Sequence, residues 1–377
     1  MPPIVSAISV LVLAAAADVG QPLPQPPVMP APGKIEVFKD WAVGCDNGRQ
    51  CRAISFAGES SSGFAEWGGP ISIVRTAGQD DILRVRVLVN SQVDEIDRYQ
   101  MLVDGELVDT GPIADGDYPI EIVGEDAKKV ALAIARGQEL IVTDPNGETL
   151  TKVSLAGSAA ALRYMDQKQE RARTKTALVA KGSRNFEPVD TPIPVVPVTR
   201  WSKSERIPAT TEIVRLAENS PCKDERFGVV EDQAYPLGQK AGRYRALVLI
   251  ACGSGAYNFS SSAYIGEISG KESDGARWRF TPAEFDVQPA WAGEGRPALL
   301  VNAGWDEKEQ LLGSFAKGRG LGDCGSAESY VWDGEKFRLI EASNMPECRG
   351  AYEWITTWRA SYQMVEPLAG QDAPSGG

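Results

Sequence analysis

The chain has 377 residues, six cysteines and no histidine. That length allows one to three domains, each able to bury a sizeable core. The missing histidine excludes Ser-His-Asp and Cys-His triads, His-bearing zinc sites and His-ligated haem. A net charge of −12, from 39 basic and 51 acidic side chains, argues against nucleic acid as a partner, because such affinity comes mainly from cations that neutralise phosphates.

Residues 4–17 form one uncharged, mostly apolar run that ends in Ala14-Ala15-Ala16-Ala17. The run has the length of a signal-peptide core and falls short of the ~20 residues that span a bilayer. Its small residues offer a cleavage site before Asp18, so residues 1–17 read as a signal peptide. Nothing later in the chain reads as membrane-spanning. Residues 18–33, dense in proline, read as an extended tether. An export signal places the folded part in an oxidising compartment, the periplasm.

Export changes the reading of Cys45, Cys51, Cys222, Cys252, Cys324 and Cys348. An even count in an exported chain implies disulfides. Many connectivities are open to six cysteines, and the sequence does not choose among them. They fall as three couples, so the simplest map is Cys45–Cys51, Cys222–Cys252 and Cys324–Cys348, each closed loop worth about 2–4 kcal/mol. With no C-x-x-C spacing and no histidine, no metal and no cofactor is expected.

Residues 34–183 read as a β-rich N-terminal domain. Residues 82–89 are a β-branched run with partial alternation. Residues 100–108 carry Asp104-Gly105, and residues 140–153 carry Asn146-Gly147, both two-residue hairpin signals. A helix over 126–136 puts Ala127, Val130, Ala131 and Ile134 on one face, with Gly137 as its stop. A second helix, over 158–173, is Ala-rich and then charged. Residues 184–200, with four prolines, read as a linker.

Residues 201–365 read as a Trp-rich C-terminal β domain, with a short helix near 211–218. Strands are expected over 245–251, 298–302 and 330–341, the last folded at Asp333-Gly334. Residues 366–377 read as a frayed tail. The expected fold class is therefore α+β and β-rich, as two disulfide-containing domains joined by a Pro-rich linker.

Two sets of strings carry a resemblance. The stretch from Phe38 through Trp41 to Cys45, with Cys51 after it, resembles the opening of invasion-associated locus B proteins. So does Val153-Ser154-Leu155-Ala156-Gly157 before an Ala-rich helix. Across nearly the whole mature chain, the sequence is similar to domain-of-unknown-function family 1176. The landmarks are the string from Ala160 to Asp166, the string from Lys317 to Gly325, Val331-Trp332-Asp333-Gly334 and Cys348-Arg349-Gly350. The resemblance implies an exported, disulfide-containing protein and carries over no catalytic residue.

The densest candidate site is residues 313–326. Gly320-x-Gly322-x-x-Gly325 has the letters of a dinucleotide fingerprint but not its context, since a strand rather than a helix is expected next. Lys317, Arg319, Gly320 and Gly322 remain as a candidate anion site, in which backbone N–H groups and two cations hold a carboxylate or phosphate. The competing reading is a glycine turn beside the Cys324 disulfide. Ser314 and Lys317 match a Ser-x-x-Lys motif, which needs a helix to bring the two together. Arg163, Lys168, Arg171, Arg173, Lys175, Lys181 and Arg184 form a basic segment, read as a solvated face in preference to a headgroup-binding one. The tryptophans read mainly as core, with a ligand-stacking platform as the alternative.

The expected function is a non-enzymatic periplasmic binding or interaction protein, its partner an envelope protein or small anionic ligand. Two alternatives stand beside it: a histidine-free hydrolase of cell-wall material that works through paired carboxylates, and an envelope assembly or stability factor.

Overall fold

The computed structural model describes residues 29–57, 70–78, 81–89, 96–116, 118–199, 201–228, 231–270, 275–289, 298–351 and 353–365. The signal peptide, most of the Pro-rich tether, Trp291 and the tail expected over 366–377 lie outside the described residues.

The first half opens with β1 (Ile35–Phe38), β2 (Trp41–Cys45), β3 (Cys51–Ser55), β4 (Ile71–Arg75) and β5 (Leu83–Val87). A hairpin follows, of β6 (Arg98–Val103) and β7 (Glu106–Pro112), then β8 (Ile120–Val123), α1 (Glu125–Ile134), β9 (Glu139–Thr143), β10 (Thr149–Ser154) and α2 (Ser158–Lys168). The strands form an antiparallel sheet in the order β1-β2-β3-β4-β5-β8 and a second in the order β10-β9-β6-β7. Their apolar residues join those of α1 and α2 in one core around Trp41, Ile73, Val85, Met101, Val130 and Leu162.

Local chemistry explains most of these elements. The buried face of α1 is Ala127, Val130, Ala131 and Ile134, the face expected from their spacing. Asp104 and Gly105 both take left-handed φ, 51° and 85°, so the β6–β7 hairpin has the primed turn that suits strand twist. The β9–β10 connection is longer than the Asn146-Gly147 signal implied. Asp144 organises it, accepting bonds from the N–H groups of Asn146 and Glu148 at 2.9 and 2.7 Å.

The helix expected over 158–173 stops at Lys168. The reason is Asp166, fully buried, whose carboxylate accepts the N–H groups of Leu178, Val179 and Ala180. Those bonds hold the chain in a return loop, with Glu170 and Arg173 at left-handed φ. Arg75 donates to the same carboxylate at 3.1 Å and to Asp81 at 2.6 and 2.9 Å. Within the basic segment expected to be a solvated face, Arg171 is instead buried, 1% exposed. It lies 3.4 Å from Asp81 and over the Phe186 ring, and burial together with neighbouring Arg75 pushes its guanidinium down to about 10.

The second half begins with β11 (Val195–Thr199), α3 (Thr210–Glu218), β12 (Gln233–Lys240), β13 (Arg243–Ser254), β14 (Phe259–Ser269), β15 (Arg279–Pro282) and β16 (Leu299–Val301). It ends with β17 (Gly304–Asp306), β18 (Leu311–Lys317), β19 (Gly325–Trp332), β20 (Phe337–Met345), β21 (Ile355–Arg359) and β22 (Ser361–Val365). Part of the stretch expected to be an irregular linker is thus a strand, because β11 pairs in parallel with β22.

One sheet runs β12-β13-β14-β15, with β16 also on β14, and the other runs β17-β18-β19-β20-β21. Their inner faces meet around Leu247, Leu249, Leu300, Leu312, Trp332 and Phe337. The opposite face of the first of these two sheets packs on α3 through Val248, Ile250 and Ala217. Trp201, Trp278, Trp332 and Trp358 are buried, so these four serve packing.

The two halves share a third cluster. Ala42, Ile54 and Phe56 come from β2 and the β3 end, while Cys324, Met345, Ala351 and Ile355 come from the second half. This is why every residue of β2 is buried: that strand is covered on both faces. Polar ties surround the cluster. Arg349 donates to Asp40 at 2.7 Å, Asn47 exchanges bonds with the backbone of Arg359, and Arg52 lies 3.0 Å from Glu353.

The structure joins Cys45 to Cys51, Cys222 to Cys252 and Cys324 to Cys348, and no cysteine is free. The first bond links directly opposed residues of β2 and β3.

Candidate functional site

The sequence-derived anion site falls in the connection from β18 to β19. Ser314 and Lys317 lie on β18, where a spacing of three puts them on opposite faces. Ser314 is buried and accepts the N–H of Val301 at 3.2 Å. Lys317 reaches over the outward Phe315 ring, its ammonium 5.9 Å from the ring centre. Phe315 in turn stacks on Trp354, with ring centres 4.8 Å apart. The Ser-x-x-Lys pairing is therefore excluded by strand geometry.

Past β18 the loop's polar groups serve one another. The N–H of Gly318 donates to Cys324 O, and that of Gly322 to Arg319 O. Arg319 turns its Nε onto Asp323 at 2.7 Å. Asp323 is fully buried and also accepts the N–H of Gly350 at 2.7 Å. Burial alone raises the carboxyl of Asp323, but the bonds from Arg319 and Gly350 outweigh it and hold the group below 3.8. Gly320 lies against the ring of Tyr257, and Gly322 adopts φ 73° beside the Lys317 stem. A Cβ on Gly318 would meet both sulfurs of the Cys324–Cys348 bond, so the glycine allows the turn to approach the disulfide. The four expected residues are adjacent, and the anion inside their loop is the chain's own Asp323.

A larger concavity lies at the open end of the sandwich. It has a volume of about 1090 Å³. Strand register builds its wall: Arg245 opposes Glu267, and Glu267 opposes Arg279, so the three stand side by side across β13, β14 and β15. The floor is apolar, made by Ile265, Ala283, Phe285 and Ala298. Glu284, Gln288 and Glu335 complete the rim.

The charges in this groove differ in how far they are engaged. Arg245 lies against Glu267 at 2.9 Å, donates to Gly334 O at 2.7 Å and covers the Trp201 ring. Arg279, Glu284 and Glu335 are exposed, and their side chains have no ion-pair partner among the described residues. The far wall is tied by hydrogen bonds: Phe337 N–H donates to Glu284 O, Asp286 N–H to Phe337 O, and the buried Asp286 side chain lies 3.1 Å from Arg338. Three side chains on separate strands, converging only through register, leave little trace in sequence. The one available signal is phase, since Arg245 keeps step with inward Leu247 and Leu249, and Glu267 with Ile265.

Among the described residues no group of three or more Cys, Asp or Glu is arranged to hold a metal. No described helix is long and apolar enough to cross a membrane. Three disulfides with no free cysteine are the pattern of an oxidising compartment.

Comparison with known proteins places the chain. The uncharacterized protein YpfG of Escherichia coli (strain K12) is similar to it, 29% identical over 358 residues, covering 89% of this chain and 95% of that protein. No solved structure matches. A family model described as "Protein of unknown function (DUF1176)" matches residues 35–361, and the chain belongs to that family.

Proposed function

We propose that the chain is an exported, disulfide-stapled envelope protein that binds a ligand in the groove between β13, β14, β15 and the β19–β20 turn, without turning it over. The observation that carries this reading is the groove's unspent charge over an apolar floor. Ligand sites combine a mostly apolar lining with a few polar groups that fix orientation, and the side chains of Arg279, Glu284 and Glu335 are available for that role. Export is supported by the apolar run at 4–17 and by the three disulfides. The strings similar to invasion-associated locus B proteins favour an envelope setting. In this reading residues 34–183 are a docking platform and residues 201–365 the binding unit, joined across 184–200.

A thermal-shift screen of the mature chain tests this. Short peptides, cell-wall glycan fragments and anionic lipid headgroups are compared, with product analysis alongside. A ligand that raises the melting temperature in proportion to its concentration, with no product formed, is the expected result, because binding to the folded state alone stabilises it by mass action. Turnover that disappears in Glu284→Gln or Glu335→Gln would instead assign a carboxylate hydrolase. A screen in which no class shifts the melting temperature overturns the binding reading.

A further inference from the structure

We infer that the groove selects a short peptide with an apolar middle and free charges at both ends, a carboxylate toward Arg279 and an ammonium toward Glu284 and Glu335. The inference rests on the binding reading above and adds the ligand's class to it.

Three observations lead there. The first is the bookkeeping of charge. Arg245 and Glu267 neutralise each other in their 2.9 Å pair, so the wall they build is polar without net demand. Among the described residues, the groove still offers one cation, Arg279, and two anions, Glu284 and Glu335. A purely anionic ligand would meet the two glutamates, and a purely cationic one would meet Arg279. A ligand carrying both signs satisfies all three.

The second is distance. Arg279 begins β15, and Glu284 follows the strand's end. Extended chain advances ~3.3 Å per residue, so five residues separate the two charges by as much as about 16 Å. A peptide of about five extended residues has that reach. Ile265, which opposes Thr281, and Ala283 fall between the charges, and Phe285 and Ala298 line the same groove, all four buried, which favours apolar side chains in the middle of the ligand.

The third is what the strand edge withholds. β15 ends its sheet and would invite an added strand, but Pro282 has no N–H to donate. Main-chain pairing along that edge is therefore interrupted, and recognition falls to the side chains at the two ends and to the floor. This is the reason the termini, and not the peptide backbone, set the specificity.

The test uses the full mature chain and calorimetric titration with the pentapeptide Ala-Leu-Phe-Leu-Ala in four forms: free, N-acetylated, C-amidated and doubly capped. The free peptide is expected to bind most tightly. Loss of one charge-assisted contact is expected to weaken it by about tenfold or more. Arg279→Ala is expected to erase the difference between acid and amide while leaving the acetyl effect. Glu284→Gln with Glu335→Gln is expected to erase the difference between amine and acetyl. The melting temperature of each variant reports that it is folded. Equal binding of all four forms would overturn the assignment of ligand class while leaving the groove a binding site. Absence of binding by every form overturns the class if a glycan or lipid headgroup binds in their place, and overturns the binding reading as well if nothing binds.

Discussion

The loop between β18 and β19 and the groove beside β15 both gather opposite charges, yet they differ in what those charges do. In the loop, Asp323 is buried and takes Arg319 and the N–H of Gly350. In the groove, Arg279 and Glu284 stand exposed beside an apolar floor. A satisfied buried carboxylate fixes geometry, whereas exposed charges over an apolar floor await a partner. The comparison makes the loop a latch and the groove a site, and each reading is breakable.

The largest expected effect comes from opening the latch. The Cys324–Cys348 bond anchors the chain just before Arg349 and Gly350, which reach Asp40 and Asp323. Replacing both cysteines by serine is expected to cost about 2–4 kcal/mol in urea unfolding and to raise hydrogen exchange at β2 and β21. Unchanged stability would show that the latch does not hold the halves. Next in size, Asp323→Ala is expected to cost about 1–3 kcal/mol, because the N–H of Gly350 loses its acceptor, with ligand affinity retained.

Acid sharpens the same contrast. Asp323 and Asp40 are both held below 3.8: burial raises each, but Arg319 and Gly350 outweigh it at the first, and Ser154 and Arg349 at the second. A carboxyl depressed in the folded state contributes its stability above the unfolded value and loses it as pH falls through the folded value. Stability is therefore expected to be level above about pH 4 and to fall below the ordinary carboxylate value, less steeply in Asp323→Asn. An equally steep fall in that variant would remove Asp323 from the account. The smallest expected effect is on stability in Arg279→Ala, within about 0.5 kcal/mol, as for a surface residue with no ion-pair partner among the described residues.

How much of this was legible in sequence follows from how local each feature is. The α1 face, the Asp104-Gly105 turn and the strand at 83–87 depend on residues within one turn or one strand, and the sequence carried them. Adjacent couples of cysteines likewise made the short-range pairing the simplest one. The end of α2 was not readable, because Asp166 stops the helix by binding N–H groups more than ten residues downstream. Nor was the buried state of Arg171, since a basic run looks solvated until Asp81 is folded against it. The cluster at Lys317 and Arg319 is visible as composition, but nothing in the sequence marks Asp323 as the counter-ion of Arg319, a pairing that the turn creates. The Arg245–Glu267–Arg279 row is the extreme case, existing only once three strands are in register.

The most direct test of the contrast is the affinity of the free pentapeptide for the wild-type chain, Arg279→Ala and Lys317→Ala, measured by calorimetry on folded protein. About a tenfold or greater loss is expected for Arg279→Ala, and wild-type affinity for Lys317→Ala. Loss in Lys317→Ala with wild-type binding in Arg279→Ala would contradict that expectation, and would move the site from the groove to the loop.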